Sequence, residues 1–414
     1  MTKAFFKGFL ERDGIHILTA TLLARSLSFL ASWIALQFIP NSGLGLVIYA
    51  INVISLIIPI SGLGASQGLL RFGALFKTTS DKNDLFAYVL KKGSIISVIM
   101  IFFVILLSPL LTKDLDSSKP YLILISFQIF TLFLMESLKT QFRVLHQNKI
   151  FASIEISYSI LLVLLVFIGS WFFKETGYVM ALIAAPLFIF MIYIKRIPVN
   201  YKNIHLPDLS RKKFWKYSFF TGLSNVANQL LIVLDIILIG QILKDPEMVT
   251  LYKYLSLIPF SLLFLPRVLI LTDFVNLTQN YKNKDHINKY IRNYIRFFFI
   301  ISVITILLSW IFQDYILLFF GDEFSDYNST FMVLILGISS ILLLRGLFGN
   351  LLSVIGKAYI NYWISVFAIL INLITNFILI PKYGILGAAI TSAIIMWITS
   401  LLSVTAFYHF YRRV

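Results

Sequence analysis

Ionisable side chains inside long apolar runs are the residues of this chain most able to do chemistry, because each costs about 2.5–3.5 kcal/mol near the centre of a membrane helix. Arg25 lies in an apolar run about ten residues, or roughly 15 Å, from its basic end. It either snorkels or pairs with a carboxylate, or it offers a planar five-donor guanidinium to an anion in a cavity. Glu136, Lys139 and Arg143 are spaced three and four apart and share one helix face, as a self-neutralising stripe or as a binding face. Arg345 has no local acid, and Arg267 directly follows Pro266. Arg25, Arg345, Arg267 and Lys139 are therefore the candidate cations for an anionic ligand. Asp235, inside Leu234-Asp235-Ile236-Ile237-Leu238-Ile239-Gly240, either carries a coupling cation or holds helices together by hydrogen bonds. Glu136 is the second ion-coupling candidate. Asn228 and Asn372, with Asn225, Gln229 and Asn376, add neutral donors and acceptors. Glu155 and Asp273 lie near span ends and read as structural.

Other chemistry is excluded by what is missing. The five histidines, His16, His146, His205, His286 and His409, make no metal constellation, and there is no cysteine. No G-x-x-x-x-G-K-[ST] loop is present, nor any spacing that suggests a nucleophile with its base. No metal, cofactor or nucleic-acid partner is expected, and the chain does not read as an enzyme.

The elements that position these residues follow from composition. In 414 residues, 59% are apolar and 13% charged, with a mean hydropathy of +0.88; soluble chains are about 25% charged. The apolar runs last about 20 residues without the alternation of barrel strands, which predicts an all-α integral membrane protein. Breaking the runs at charge, Pro and Gly clusters gives twelve transmembrane helices, near 15–38, 43–63, 86–111, 121–145, 151–172, 177–194, 215–242, 248–275, 290–312, 328–354, 358–380 and 384–408. The basic N-terminus precedes a full-length span with no A-x-A-like site, so the first span is expected to be retained. Alternate connections hold 29 of the 35 Lys and Arg, which puts that side and both termini in the cytoplasm and explains the net charge of +16. No outer connection is long enough to fold as a domain, which argues against a membrane polymerase or ligase acting on saccharides.

Landmarks recur near half the length: Pro40 with Pro246, Tyr49 with Tyr254, Pro59 with Pro266, Lys139 with Arg345, Lys149 with Lys357, Gly177 with Gly384. They predict a duplicated unit: an N-terminal six-helix bundle over 1–194, a cytoplasmic linker over 195–214 and a C-terminal six-helix bundle over 215–414. An even number of helices per unit relates the two bundles by a pseudo-twofold axis along the membrane normal, the geometry of an alternating-access carrier.

Asn372 to Asn376, followed by Leu379-Ile380-Pro381-Lys382-Tyr383-Gly384-Ile385-Leu386-Gly387-Ala388-Ala389-Ile390-Thr391, resembles the eleventh-to-twelfth helix junction of bacterial polysaccharide transporters. These are the Wzx-type O-antigen flippases of the MATE and lipid-flippase superfamily. Asp235 with Tyr252 also resembles that family, and the twelve-span plan covers the whole chain. The resemblance implies a multi-pass protein of the bacterial inner membrane. It implies a flippase that moves an undecaprenyl-diphosphate-linked oligosaccharide from the inner to the outer leaflet, with other glycan-assembly membrane proteins as partners. Energy would come from the membrane potential, H+ or Na+. Superfamily drug antiporters usually carry an acid in the first helix; residues 15–39 have none and hold Arg25 instead, which favours an anionic substrate over a multidrug or lipid exporter. Lipid II flippases resemble this plan but typically carry two more spans.

Overall fold

A computed structural model describes residues 14–198, 211–266, 274, 277–278 and 280–412. Every regular element among them is helical. In chain order these are α1 (Gly14–Phe38), α2 (Asn41–Ser55), α3 (Ala65–Leu75), α4 (Thr79–Leu111), α5 (Lys119–Ile125), α6 (Gln128–Val144), α7 (Asn148–Ile194) and α8 (Arg211–Leu243). There follow α9 (Pro246–Ser261), α10 (Lys284–Leu318), α11 (Asn328–Ser340), α12 (Gly346–Val354), α13 (Ala358–Tyr383) and α14 (Ile385–Tyr411). Nine helical stretches among the described residues are long and apolar enough to cross a membrane, ten if α8 counts as one span. The chain is an all-α multi-pass membrane protein.

This count is lower than twelve partly because two expected spans, 151–172 and 177–194, lie in the single 47-residue α7. A straight helix of that length would be about 70 Å long, more than twice a hydrocarbon core. Instead the chain reverses at Lys174, whose φ of 51° and ψ of −128° break the helix. Beyond the break, Gly177 packs on the backbone of Gly169. A side chain on either glycine would overlap a carbonyl that nothing flexible can move aside. Gly177→Val is therefore expected to cost about 3 kcal/mol or more, read as loss of folded protein in a detergent thermal melt; a melt like that of the parent would contradict this packing.

The helices gather into two compact units, Met1–Gln229 and Leu230–Val414. In the first, Leu69, Phe86, Phe133, Leu138, Phe142, Ile154 and Ile189 form the core, and Phe214 at the start of α8 joins it. In the second, Tyr294, Phe298, Phe348, Leu351, Phe407 and Tyr411 do so.

The units repeat one another in detail. Thr78 accepts from the Asp81 amide to cap α4, and Asn283, 205 residues on, accepts from the His286 amide to cap α10. Tyr49 and Tyr254 are both fully buried at the same offset. After α6 the chain turns through His146 at φ 57°, with Gln147 N–H donating to Phe142 O at 2.8 Å and His146 N–H to Arg143 O at 3.0 Å. The Schellman pattern recurs 210 residues later through Gly356, with Lys357 to Leu352 and Gly356 to Ser353 at the same distances. The reversal at Lys174 recurs at Gly384, with φ 57° and ψ −138°, where Gly387 packs on Leu379 as Gly177 does on Gly169.

The drift from 205 to 210 has three sources. The α10 helix has 35 residues against 33 in α4. The connection after it, 319–327, is two residues longer than 112–118, and a π-turn at Ile341–Arg345 absorbs one more. This register places Gly349, not Arg345, opposite Lys139, so the sequence pairing of those two cations is off by one helical turn.

Candidate functional site

Two polar centres stand out, one in each unit. In the second unit, Asp235 on α8 is buried at 4% exposure with no cation beside it among the described residues. Its Oδ1 accepts from Asn372 Nδ2 at 2.9 Å and Asn376 Nδ2 at 2.8 Å. Its Oδ2 accepts from the Tyr252 hydroxyl at 2.9 Å and from the Ser392 hydroxyl. Asn372 and Asn376 share a face of α13 at i, i+4, and Asn376 Nδ2 also reaches Asn372 Oδ1 at 2.8 Å. Four donors from three other helices thus converge on one carboxylate and replace the hydration that an ionised carboxylate would otherwise lose. Asn376 Oδ1 is buried there without a hydrogen-bond partner. The carboxylate and the spare Asn376 oxygen are the kind of oxygen ligands that a small hard cation such as Na+ takes, and the carboxylate alone can take a proton.

In the first unit Lys139 bridges two helices. Its Nζ lies 2.8 Å from Glu136 Oε1 on α6 and 2.5 Å from Glu155 Oε1 on α7. The lysine is 9% exposed, and Glu136 and Glu155 are 47% and 24% exposed at their side chains. Lys139 Nζ and the Arg143 guanidinium both lie 5.7 Å from the centre of the Phe151 ring.

Neither centre is repeated. With the offsets between the two units, the positions matching Asp235, Tyr252, Asn372, Asn376 and Ser392 are Leu30, Val47, Leu162, Val166 and Leu182. Conversely Glu136, Lys139, Arg143 and Glu155 match Gly346, Gly349, Ser353 and Ser365. Asn361 in the place of Phe151 closes that corner by donating to Gly349 O at 2.7 Å.

Of the residues that the sequence singles out, Asp235 and Asn372 meet, and so do Glu136 and Lys139. Lys139 is consumed by two carboxylates, so it is not an unpaired cation for a ligand. Arg25 on α1 is exposed and has no ion pair among the described residues. Arg345 closes the π-turn and donates to the Ser403 hydroxyl, again with no acid. Arg267 and the side chain of Asn228 lie outside the described residues.

Glu155 and Ser392 belong to these centres although the sequence reading does not select them, and a simple signal marks both. Lys139 and Glu155 each stand eight residues from Gln147, and Asn376 and Ser392 each eight from Gly384. Residues equidistant from a helical corner face one another.

A family model described as "Polysaccharide biosynthesis protein" matches residues 10–266. A curated relative, the capsular polysaccharide biosynthesis protein CapF of Staphylococcus aureus, is 34% identical over 116 residues, which is 28% of each chain. Among solved structures, an inward-facing multidrug resistance MATE family transporter of the MOP superfamily superposes with a TM-score of 0.73 at 15% identity, over 96% of this chain and 98% of that one. The lipid II flippase MurJ, in an inward closed conformation, superposes with a TM-score of 0.72 at 17% identity, over 95% and 87%. The fold is thus one shared with membrane transporters, and this chain belongs to the polysaccharide biosynthesis protein family.

Proposed function

We propose that this protein is a flippase that moves an undecaprenyl-diphosphate-linked oligosaccharide from the inner to the outer leaflet of the bacterial plasma membrane by alternating access, with both termini cytoplasmic. The observation that carries this reading is the pair of arginines, Arg25 and Arg345, held in apolar helices without a carboxylate partner among the described residues. Arginine kept at such cost suits a planar, multiply charged oxyanion, which guanidinium binds through paired charge-assisted hydrogen bonds. A diphosphate cannot cross hydrocarbon unaided, whereas its prenyl tail can remain in lipid.

The driving force divides between two sources. An inside-negative potential favours outward movement of about two charges by roughly 4–5 kcal/mol at 100 mV. A cation or proton at Asp235 supplies the second source, because loading that carboxylate removes the one uncompensated charge of its cluster.

Deleting the gene should leave the lipid-linked glycan on the cytoplasmic leaflet. Undiminished arrival outside, together with new sensitivity to cationic drugs, would transfer the reading to a drug exporter. Arg25→Ala is expected to cut transport at least about tenfold with insertion intact, one lost charge-assisted contact being worth about 1.5–3 kcal/mol. Arg25→Lys should recover part of it, since charge survives but the planar donor fork does not. Full transport in well-inserted Arg25→Ala would reject this role.

A further inference from the structure

We infer that Glu136, Lys139 and Glu155 form an exchangeable proton site in the first unit, separate from Asp235. Two carboxylates share a single ammonium at 2.8 and 2.5 Å, so the fully ionised triad carries one net negative charge inside membrane-spanning helices. A proton on either carboxyl makes the group neutral and supplies one donor to the pair. Glu136, half exposed, gives that proton a route to water, while Lys139 and the partly buried Glu155 hold the inner end.

The surrounding groups leave the excess charge in place. On α6, Arg143 lies over the Phe151 ring. On α7, Tyr158 and Tyr178 bring no positive charge, and Tyr193 is bonded to Ser153 and Ser157. On α4, Lys82 donates to Val144 O, Tyr88 is bonded by Trp215, and Lys91 and Lys92 are exposed; Asp81 and Asp84 add no positive charge. On α3, Arg71 is held over the Tyr217 ring at 4.3 Å; α5 brings Lys119 and Tyr121, and α1 brings Arg25. None of these cations is within ion-pair distance of either carboxylate among the described residues.

A structural need does not account for the triad. The matching corner of the second unit folds with the same Schellman turn and no ionisable group at the four equivalent positions, Gly346, Gly349, Ser353 and Ser365. The two carboxylates and their ammonium are an addition to a corner that in the second unit packs with Asn361 and the Arg345 side chain beside Gly349. The neutral, protonated form tolerates occlusion from water, whereas the ionised form requires water at Glu136, so the proton state is linked to whether this face of α6 is wet.

The role of that linkage in transport rests on the flippase reading; proton binding itself does not. The test is infrared difference spectroscopy of the purified full-length protein in lipid nanodiscs, titrated in H2O and D2O without substrate. Beside the bands of the other carboxyl groups, one protonated-carboxyl component should titrate reversibly, and it should be missing from both Glu136→Gln and Glu155→Gln while Asp235→Asn leaves it in place. Gln variants whose spectra match the wild type at every pH where the fold persists, or that each lose a different component, overturn the inference. If one variant fails to insert, the wild-type titration and the other variant still decide. A titrating band in a protein that moves no lipid-linked glycan would uphold the proton site and remove the flippase reading.

Discussion

Asp235→Ala is expected to lower the stability of the protein by at least about 3 kcal/mol, and Asp235→Asn by much less, while both weaken the dependence of transport on an imposed Na+ or H+ gradient. Removing the carboxylate strands the hydroxyls of Tyr252 and Ser392 and the amides of Asn372 and Asn376 in a buried place. Each donor left unpaired costs about 1–3 kcal/mol, and only the Asn376–Asn372 contact offers internal relief. Asparagine restores one carbonyl oxygen, and the two hydroxyls can rotate to accept from its amide, so most of the network closes again. What asparagine lacks is the negative charge that would bind a cation or proton. Thermal unfolding in detergent separates the two variants. Transport in vesicles with imposed Na+ or H+ gradients then checks the second half: an Asp235→Asn protein that follows both gradients as fully as the parent would remove Asp235 from coupling.

The Lys139 triad carries the second large effect. Lys139→Ala should destabilise the first unit by about 3 kcal/mol, the low end for breaking a buried pair because Glu136 is half exposed. Two carboxylates would then face each other across the space left by the ammonium. The triple variant Glu136→Gln, Lys139→Met, Glu155→Gln should recover most of that stability, since replacing a whole buried ionic group is often neutral or better. The matching corner of the second unit, with Gly346, Gly349, Ser353 and Ser365 at the four positions, already shows that the turn closes without a carboxylate–ammonium group. The triple variant is nonetheless expected to lose transport. A triple variant as unstable as Lys139→Ala would mean that the charges hold the corner together, and one with normal transport would mean that they serve no function.

Membrane character and helical content were legible in the sequence because hydrocarbon leaves a chain of this composition few alternatives. The duplication was legible too, but its register was not. A single half-length offset of about 207 averages 205 and 210, and the intervening residues include a π-turn, which no apolar periodicity reveals. That slip is what paired Arg345 with Lys139. Asp235 and Asn372 were found because polar groups in apolar runs announce themselves, and Glu136 with Lys139 because they share a helix face. Glu155 reads as an end residue in the sequence, since its partner lies across a turn and the turn is made by His146 rather than by glycine. Only the placement of the corner at His146–Gln147 brings Glu155 to Lys139.

Lipid translocation itself tests the central claim most directly. In proteoliposomes carrying an undecaprenyl-diphosphate-linked oligosaccharide with a biotinylated sugar, the fraction reachable by external streptavidin reports on leaflet exchange. A potassium-diffusion potential, negative on the side where the lipid starts, should speed the loss of protected label. The rise should be absent with Arg25→Ala and partial with Arg25→Lys. Label that stays on its original leaflet with wild-type protein under every imposed potential and ion gradient would contradict the assignment of this chain as a flippase.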